Sequence, residues 1–289
     1  MLPDGRRLHM QHGPIDLVAE AFGGADEVRV AYDQAAARFD GLLATLAGEI
    51  DRLRRPIAEL TGEPEGAVAR RMVAACRPYG DVFVTPMAAV AGAVADEVLA
   101  ALVAGRQLAR AYVNDGGDIA LHLAPDERFT AGVVGDLAAP AIDGIATVTA
   151  GMPVRGVATS GRGGRSLSLG VADAVTVLAR DAATADVAAT LIANAVDVDH
   201  PAVERRPARE LDPDSDLGDR AVTVAVGALP DGAITAALEA GAVYAGRLRS
   251  AGLIHGAVLV LARRYRVVGA IAPRLEAPGI AKEKRRECR

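Results

Sequence analysis

The stretch Leu108-Ala109-Arg110-Ala111-Tyr112-Val113-Asn114-Asp115-Gly116-Gly117-Asp118-Ile119-Ala120-Leu121-His122-Leu123 reads as two strands joined by a glycine turn. Apolar and polar residues alternate on either side of a polar pivot, the pattern of a half-buried antiparallel hairpin. The texture continues downstream. Phe129 to Val134, Gly144 to Thr149, Val154 to Thr159 and Ala174 to Ala179 are further short strand-like runs punctuated by Gly, Asp and Pro. Asp181 then opens a helix reaching about Ala195. A strand (Ala221 to Val226), a helix (about Asp231 to Ser250) and a strand pair (Ala257 to Leu261, Tyr265 to Ile271) follow. Upstream the period changes to three and four. Val28, Ala31, Ala35, Phe39, Leu42, Leu43, Leu46, Ile50 and Leu53 predict a helix over 26–55, ended by Pro56. Helices are also expected over 65–76 and from Thr85-Pro86 through Leu102 to the stop at Gly105. Strand runs around isolated helices, without strict β-α-β alternation, mark an α+β protein with antiparallel sheets. We read a single domain over 1–280, mainly helical to 105 and mixed beyond, with a charged flexible tail at 281–289. The polar segment His200 to Arg220 reads as a long loop.

Composition narrows the function. Of 289 residues 51% are hydrophobic but only 3% aromatic, with no Trp, so single-stranded nucleic acid would find no stacking platform. Thirty-two basic against 37 acidic residues give a net charge of −5, which draws the chain neither to phosphate backbones nor to anionic membranes. Two cysteines, Cys76 and Cys288, offer no disulfide framework and no CxxC metal site, and Cys76 reads as a buried small hydrophobe. Lacking an apolar leader or an uninterrupted run of about 18 apolar residues, the chain is expected to be cytoplasmic, with no membrane and no nucleic-acid partner.

Four segments could carry chemistry. The turn Asn114-Asp115-Gly116-Gly117-Asp118 leaves backbone N–H groups unobstructed for a phosphate or ring edge, although the same residues suit an ordinary hairpin. Thr159-Ser160-Gly161-Arg162-Gly163-Gly164-Arg165-Ser166 joins hydroxyls, guanidinium forks and glycines, a set that fits an anionic oxygen cluster or a surface hairpin. It matches neither a P-loop nor a dinucleotide fingerprint. In the helix after Asp181, Asp186 and Thr190 stand one turn apart and offer a carboxylate and a hydroxyl to one hard cation such as Mg²⁺. The fourth segment, Asp212 to Asp219, looks like a calcium loop but has Leu217 where Gly is needed and Thr223 where the bidentate Glu belongs. The five histidines lack zinc-hydrolase spacing, and no GxSxG elbow is present.

In order along the chain, Tyr112-Val113-Asn114-Asp115-Gly116-Gly117-Asp118-Ile119, Gly156-Val157-Ala158-Thr159-Ser160-Gly161 and Ala185-Asp186-Val187-Ala188-Ala189-Thr190 resemble the ApbE-like superfamily, which includes the Mg²⁺-dependent FAD:protein FMN transferases. The chain is most similar to an uncharacterised branch shared by archaea and bacteria, which also carries sequences like Arg165 to Val177 and Leu211 to Asp219. The resemblance spans roughly 80–270. It implies an ApbE-like α+β fold of two T-fold-like units with a ligand site between them. By the same resemblance Asp186 and Thr190 are metal ligands. Asp96 falls at a flavin-contacting acid of a Lys-Gly-x-x-x-Asp motif, here Ala91-Gly92-Ala93-Val94-Ala95-Asp96 without the lysine. A transferase His-Ile-x-Asp-Pro-x-Thr-Gly pattern is represented only by Ser166 to Gly170. The expected ligand site comprises Asp96, Asn114, Asp115, Gly116, Gly117, Asp118, Thr159, Ser160, Gly161, Arg162, Arg165, Ser166, Asp214 and Asp216, with FAD or FMN and Mg²⁺ as cofactors. The expected function is binding of a flavin-like or other phosphate-bearing heterocycle, with phosphoryl or nucleotidyl transfer as the chemistry if the chain is catalytic. A pterin- or purine-directed enzyme and a non-catalytic assembly protein are the alternatives. An Ala-rich helical first third is a candidate homodimer surface.

Overall fold

The computed structural model describes residues 1–134, 142–164 and 166–269. Chain order is β1 (Leu8–His12), β2 (Ile15–Gly23), α1 (Ala25–Phe39), α2 (Leu42–Gly48), α3 (Ile50–Leu53), α4 (Ala67–Cys76), α5 (Val90–Val103), β3 (Leu108–Asp115), β4 (Asp118–Leu123), β5 (Arg128–Val134) and β6 (Ile142–Thr149). It continues with β7 (Gly156–Ser160), β8 (Ala174–Ala179), α6 (Ala182–Ala195), β9 (Val203–Pro207), α7 (Ala208–Leu211), β10 (Ala221–Val226), α8 (Asp231–Ser250), β11 (Gly256–Leu261) and β12 (Arg264–Gly269). Eight strands form one sheet in the order β1-β2-β3-β4-β7-β8-β11-β12, every neighbouring pair antiparallel. The α+β reading therefore holds.

The sheet divides into two four-stranded halves, β1–β4 and β7-β8-β11-β12, each running strand-strand, helices, strand-strand along the chain. They meet at β4 and β7 through only two residue pairs, Ile119↔Val157 and Ala120↔Gly156. The helices cover one face, and the main core lies between them and the sheet. A smaller cluster on the other face, including Leu121, Val157, Leu178 and Val258, lies under the β5–β6 hairpin, whose Ala146 and Val148 join it.

Helix α6 is central. It packs on α5, β7, β8 and α8, and Ala182, Ala183, Ala185, Ala188 and Ala189 are all buried. Small side chains bring backbones close. A Cβ on Gly92 would lie 2.3 Å from the Ala182 carbonyl oxygen, and one on Gly156 would lie 2.0 Å from that of Asp181. The first turn of α6 is thus clamped between α5 and β7.

Two expectations need correction. The helix expected over 26–55 is broken into α1, α2 and α3, because Gly41 adopts φ 72° and turns the chain; the apolar positions still point inward, with Ala31, Ala35, Leu42, Leu46 and Leu53 buried. The segment read as a loop over 200–220 contains β9, which pairs with β10, and α7. Its strand was hidden because Val203-Glu204-Arg205-Arg206-Pro207 carries a single apolar side chain before the proline. The Ala-rich α5 is an interior helix, with Gly92, Ala93, Val94, Ala95, Val98, Leu99 and Leu102 facing the core. Pro86–Val103 is long and apolar enough to cross a membrane, and here that composition serves an interior helix. Cys76 is buried as expected, whereas Cys288 and the 281–289 tail lie outside the described residues.

Asp96 has a different task from the one its motif implies. Its carboxylate accepts the backbone N–H groups of Ala182 (3.0 Å) and Ala183 (2.9 Å), while Asp181 caps the same helix by accepting from Thr184 N (2.7 Å). Those amides have no intrahelical acceptor, so a carboxylate from α5 satisfies them and complements the helix dipole. Burial pushes the Asp96 pKa up to about 6, against the lowering effect of the two amides. The folded protein then holds a proton that the unfolded chain releases near pH 4, so the contribution of this group falls as pH rises from about 4 through 6. Thermal unfolding of Asp96→Ala should show lower stability by about 1–3 kcal/mol from the unsatisfied amides. It should also show a shallower decline than the unsubstituted protein across that pH interval, and identical pH profiles would contradict this assignment.

Candidate functional site

The β3–β4 hairpin closes on the pair Asp115↔Asp118. Side chains alternate along a strand, so Asp115 shares the helix-facing side with buried Ala111 and Val113, and Asp118 shares it with Ala120. Gly116 (φ 63°) and Gly117 (φ 118°) make the turn in a backbone region that L side chains avoid. Asn114 Oδ1 accepts the Gly117 N–H (2.8 Å), so this side chain folds into the turn.

Asp186 lies opposite, on α6. Its Oδ2 accepts the N–H of Gly92 (3.0 Å), which fixes the carboxylate against the start of α5. One turn later the Thr190 hydroxyl donates to Ser160 Oγ (3.4 Å) at the end of β7. The next residue, Gly161, has φ 151°, and a Cβ there would stand 2.5 Å from the Asp173 carbonyl oxygen. Burial pushes the Asp186 pKa well above the ordinary carboxylate value, and the charges of Asp118 and Asp115 add to the effect.

These elements enclose a cavity of about 510 Å³. The volume falls within the roughly 300–1,000 Å³ typical of small-molecule sites. Its polar wall consists of Asp115, Gly116, Asp118, Thr159, Ser160, Gly161, Gly164, Ser166, Asp186 and Thr190. Its apolar wall consists of Pro14, Ile15, Leu43, Leu46, Ala47, Ile50, Met87, Val90, Ala91 and Val94. No Lys, Arg or His lines it among the described residues.

The structure gathers nine of the expected positions here: Asp115, Gly116, Asp118, Thr159, Ser160, Gly161, Ser166, Asp186 and Thr190. Others stand elsewhere. Asp96 caps α6, and Asn114 and Gly117 build the turn behind the wall. Arg162 is paired with Asp173 at 2.6 Å, so its guanidinium is committed to a neighbouring carboxylate. Asp216 accepts a hydrogen bond from the Thr85 hydroxyl, and Asp214 is exposed in a turn where its N–H donates to Asp212 Oδ1 (3.0 Å). Arg165 lies outside the described residues. Sequence reasoning missed the apolar wall. Leu43, Leu46 and Ile50 carry the helical period of ordinary core residues, and nothing local marks them as facing a cavity.

The residues suit a hard cation. Asp186 offers a carboxylate, Thr190 adds a hydroxyl, and Mg²⁺ takes few protein ligands with water and phosphate oxygens completing its shell. Among the described residues no three His, Cys, Asp or Glu side chains are grouped to hold a metal by themselves.

The chain is 38% identical over 135 residues to a UPF0280 protein of Archaeoglobus fulgidus, covering 45% of this chain and 51% of that relative. It is 37% identical over 181 residues to UPF0280 protein MK0206 of Methanopyrus kandleri, covering 58% and 66%. The matches thus span about half to two thirds of the length of these relatives. Among solved structures, a variant of the flavin transferase ApbE from Vibrio cholerae superposes with a TM-score of 0.39 at 12% identity, over 91% of this chain and 97% of that one. The family model described as AbpE bacteria matches residues 1–271, and the chain belongs to that family.

Proposed function

We propose that the cavity binds a flavin-like or other phosphate-bearing heterocycle together with Mg²⁺. One observation carries the reading: a carboxylate and a hydroxyl from α6 meet two glycine turns from separate sheet halves around a hollow that aliphatic side chains also line. The division suits a ligand with a flat apolar ring and a charged tail. Asp115, Asp118 and Asp186 line the described wall beside the hydroxyls of Thr159, Ser160, Ser166 and Thr190, an oxygen-rich surface that suits a cation. A bound Mg²⁺ would supply charge neutralisation on the phosphate oxygens.

The chain's own residues do the rest. Asp186 and Thr190 would hold the ion, and the backbone N–H groups around Gly116 and Gly161 would approach the ligand closely. Leu43, Leu46 and Ile50 would exclude water from the ring. If turnover occurs, the class is phosphoryl or nucleotidyl transfer, in which the site stabilises charge developing on phosphate oxygen.

Calorimetry with FMN and FAD, with and without Mg²⁺, tests the proposal. We expect binding and thermal stabilisation only when flavin and Mg²⁺ are both present. Indifference to every such combination would overturn it. In the same assay Thr190→Val, of nearly equal volume, should weaken Mg²⁺-dependent binding about tenfold and leave the melting temperature within about 2 °C.

A further inference from the structure

Helix α8 spans 20 residues, about 30 Å, and buries one face, with Ile234, Ala237, Leu238, Gly241, Ala245 and Leu248 packed on the protein. Its other face carries Glu239, Val243 and Arg247, all three exposed among the described residues. Val243 is 48% exposed at the middle of that face, with Glu239 one turn before it and Arg247 one turn after it, both exposed. Glu239 and Arg247 are equidistant from Val243, four positions on either side.

That symmetry has a consequence. When two identical helices pack antiparallel about a two-fold axis, positions equidistant from the axis face one another. With the axis at Val243, Glu239 of each copy meets Arg247 of the other, so two opposite-charge pairs flank a Val–Val contact. Parallel packing would instead set Glu against Glu and Arg against Arg. Glu239 also has an intramolecular neighbour, Arg266, at 3.7 Å, but both side chains are largely exposed and a carboxylate accepts from more than one donor. A shallow hollow between α8 and Ala195 of α6 lies on the same face.

We propose that the outer face of α8 is a self-complementary surface that joins two copies of this chain about a two-fold axis at Val243. The inference is independent of what the cavity binds. The occupant is a second copy because the charge pattern complements itself.

Sedimentation equilibrium on the full chain tests it. The unsubstituted protein should dimerise. Glu239→Arg alone and Arg247→Glu alone should each weaken the dimer roughly tenfold or more by setting like charges together. The double variant Glu239→Arg/Arg247→Glu should recover dimerisation to within about threefold, because the exchanged charges again pair across the axis. Circular dichroism of each variant checks that the fold is retained. In a Cys288→Ser background, Val243→Cys should form a disulfide-linked dimer on mild oxidation. A monomeric unsubstituted protein, or a dimer untouched by the single charge reversals, would overturn the proposal.

Discussion

Replacing Asp186 by asparagine should abolish Mg²⁺-dependent ligand binding and leave the fold standing. Asparagine keeps the size of the side chain and an oxygen that can accept the Gly92 N–H, so the contact between α6 and α5 survives. What disappears is the negative charge. In the folded protein that charge is costly, since it is buried and faces Asp118 and Asp115, and both effects push its pKa upward. Removing it should leave the melting temperature unchanged or raised. Binding has the opposite dependence: without the carboxylate the ion keeps only the Thr190 hydroxyl from α6. Second-shell changes alone cost 10- to 100-fold in metal affinity, so we expect a loss of roughly 100-fold or more. Calorimetric titration of flavin with Mg²⁺, beside a melting curve of the same sample, separates the outcomes. Undiminished binding would remove Asp186 from the site, and a collapsed melting curve would make its role structural.

The other large effect is on stability. Gly156→Ala places a methyl group 2.0 Å from the Asp181 carbonyl oxygen, 2.1 Å from its carbon and 2.4 Å from Ala182 N. All three are backbone atoms at the start of α6 and cannot swing aside like the end of a side chain. The turn cannot retreat either, because Gly92 presses on it from α5 and Asp96 holds its amides. Either β7 or α6 must move. Overpacking costs typically 1–3 kcal/mol and sometimes more. With backbone on both sides we expect about 3 kcal/mol or more, which is roughly a 10 °C fall in melting temperature for a domain of this size. Gly151→Ala is the control, since nothing lies within 4 Å of its added Cβ. If the two variants melt together, the clamp on α6 is not tight.

The hairpin at 108–123 was legible because alternation and a Gly-Gly pivot are local, and backbone sterics confine such a pivot to a turn. The pairing of Asp186 with Thr190 was legible too, because a helical repeat of 3.6 residues puts i and i+4 on one side. Asp96 shows where that reasoning ends. Its motif resembles a ligand contact, but whether a carboxylate meets a ligand or the start of a helix depends on an element 86 positions away. Arg162 likewise has the chemistry of a phosphate fork, but the carboxylate of Asp173 pairs with it.

From the sequence alone came the α+β class, the hairpin at 108–123, the helix after Asp181 and the two residues one turn apart on one of its faces. Only the tertiary structure decided which expected ligands share a hollow, that an aliphatic wall from α2, α3 and the β1–β2 turn closes it, and that Asp186 stands against two other carboxylates. The physical reason is range. Periodicity and turn sterics act over a few residues and are written in neighbouring letters, whereas burial, cavity shape and charge–charge repulsion depend on chain segments that only folding brings together.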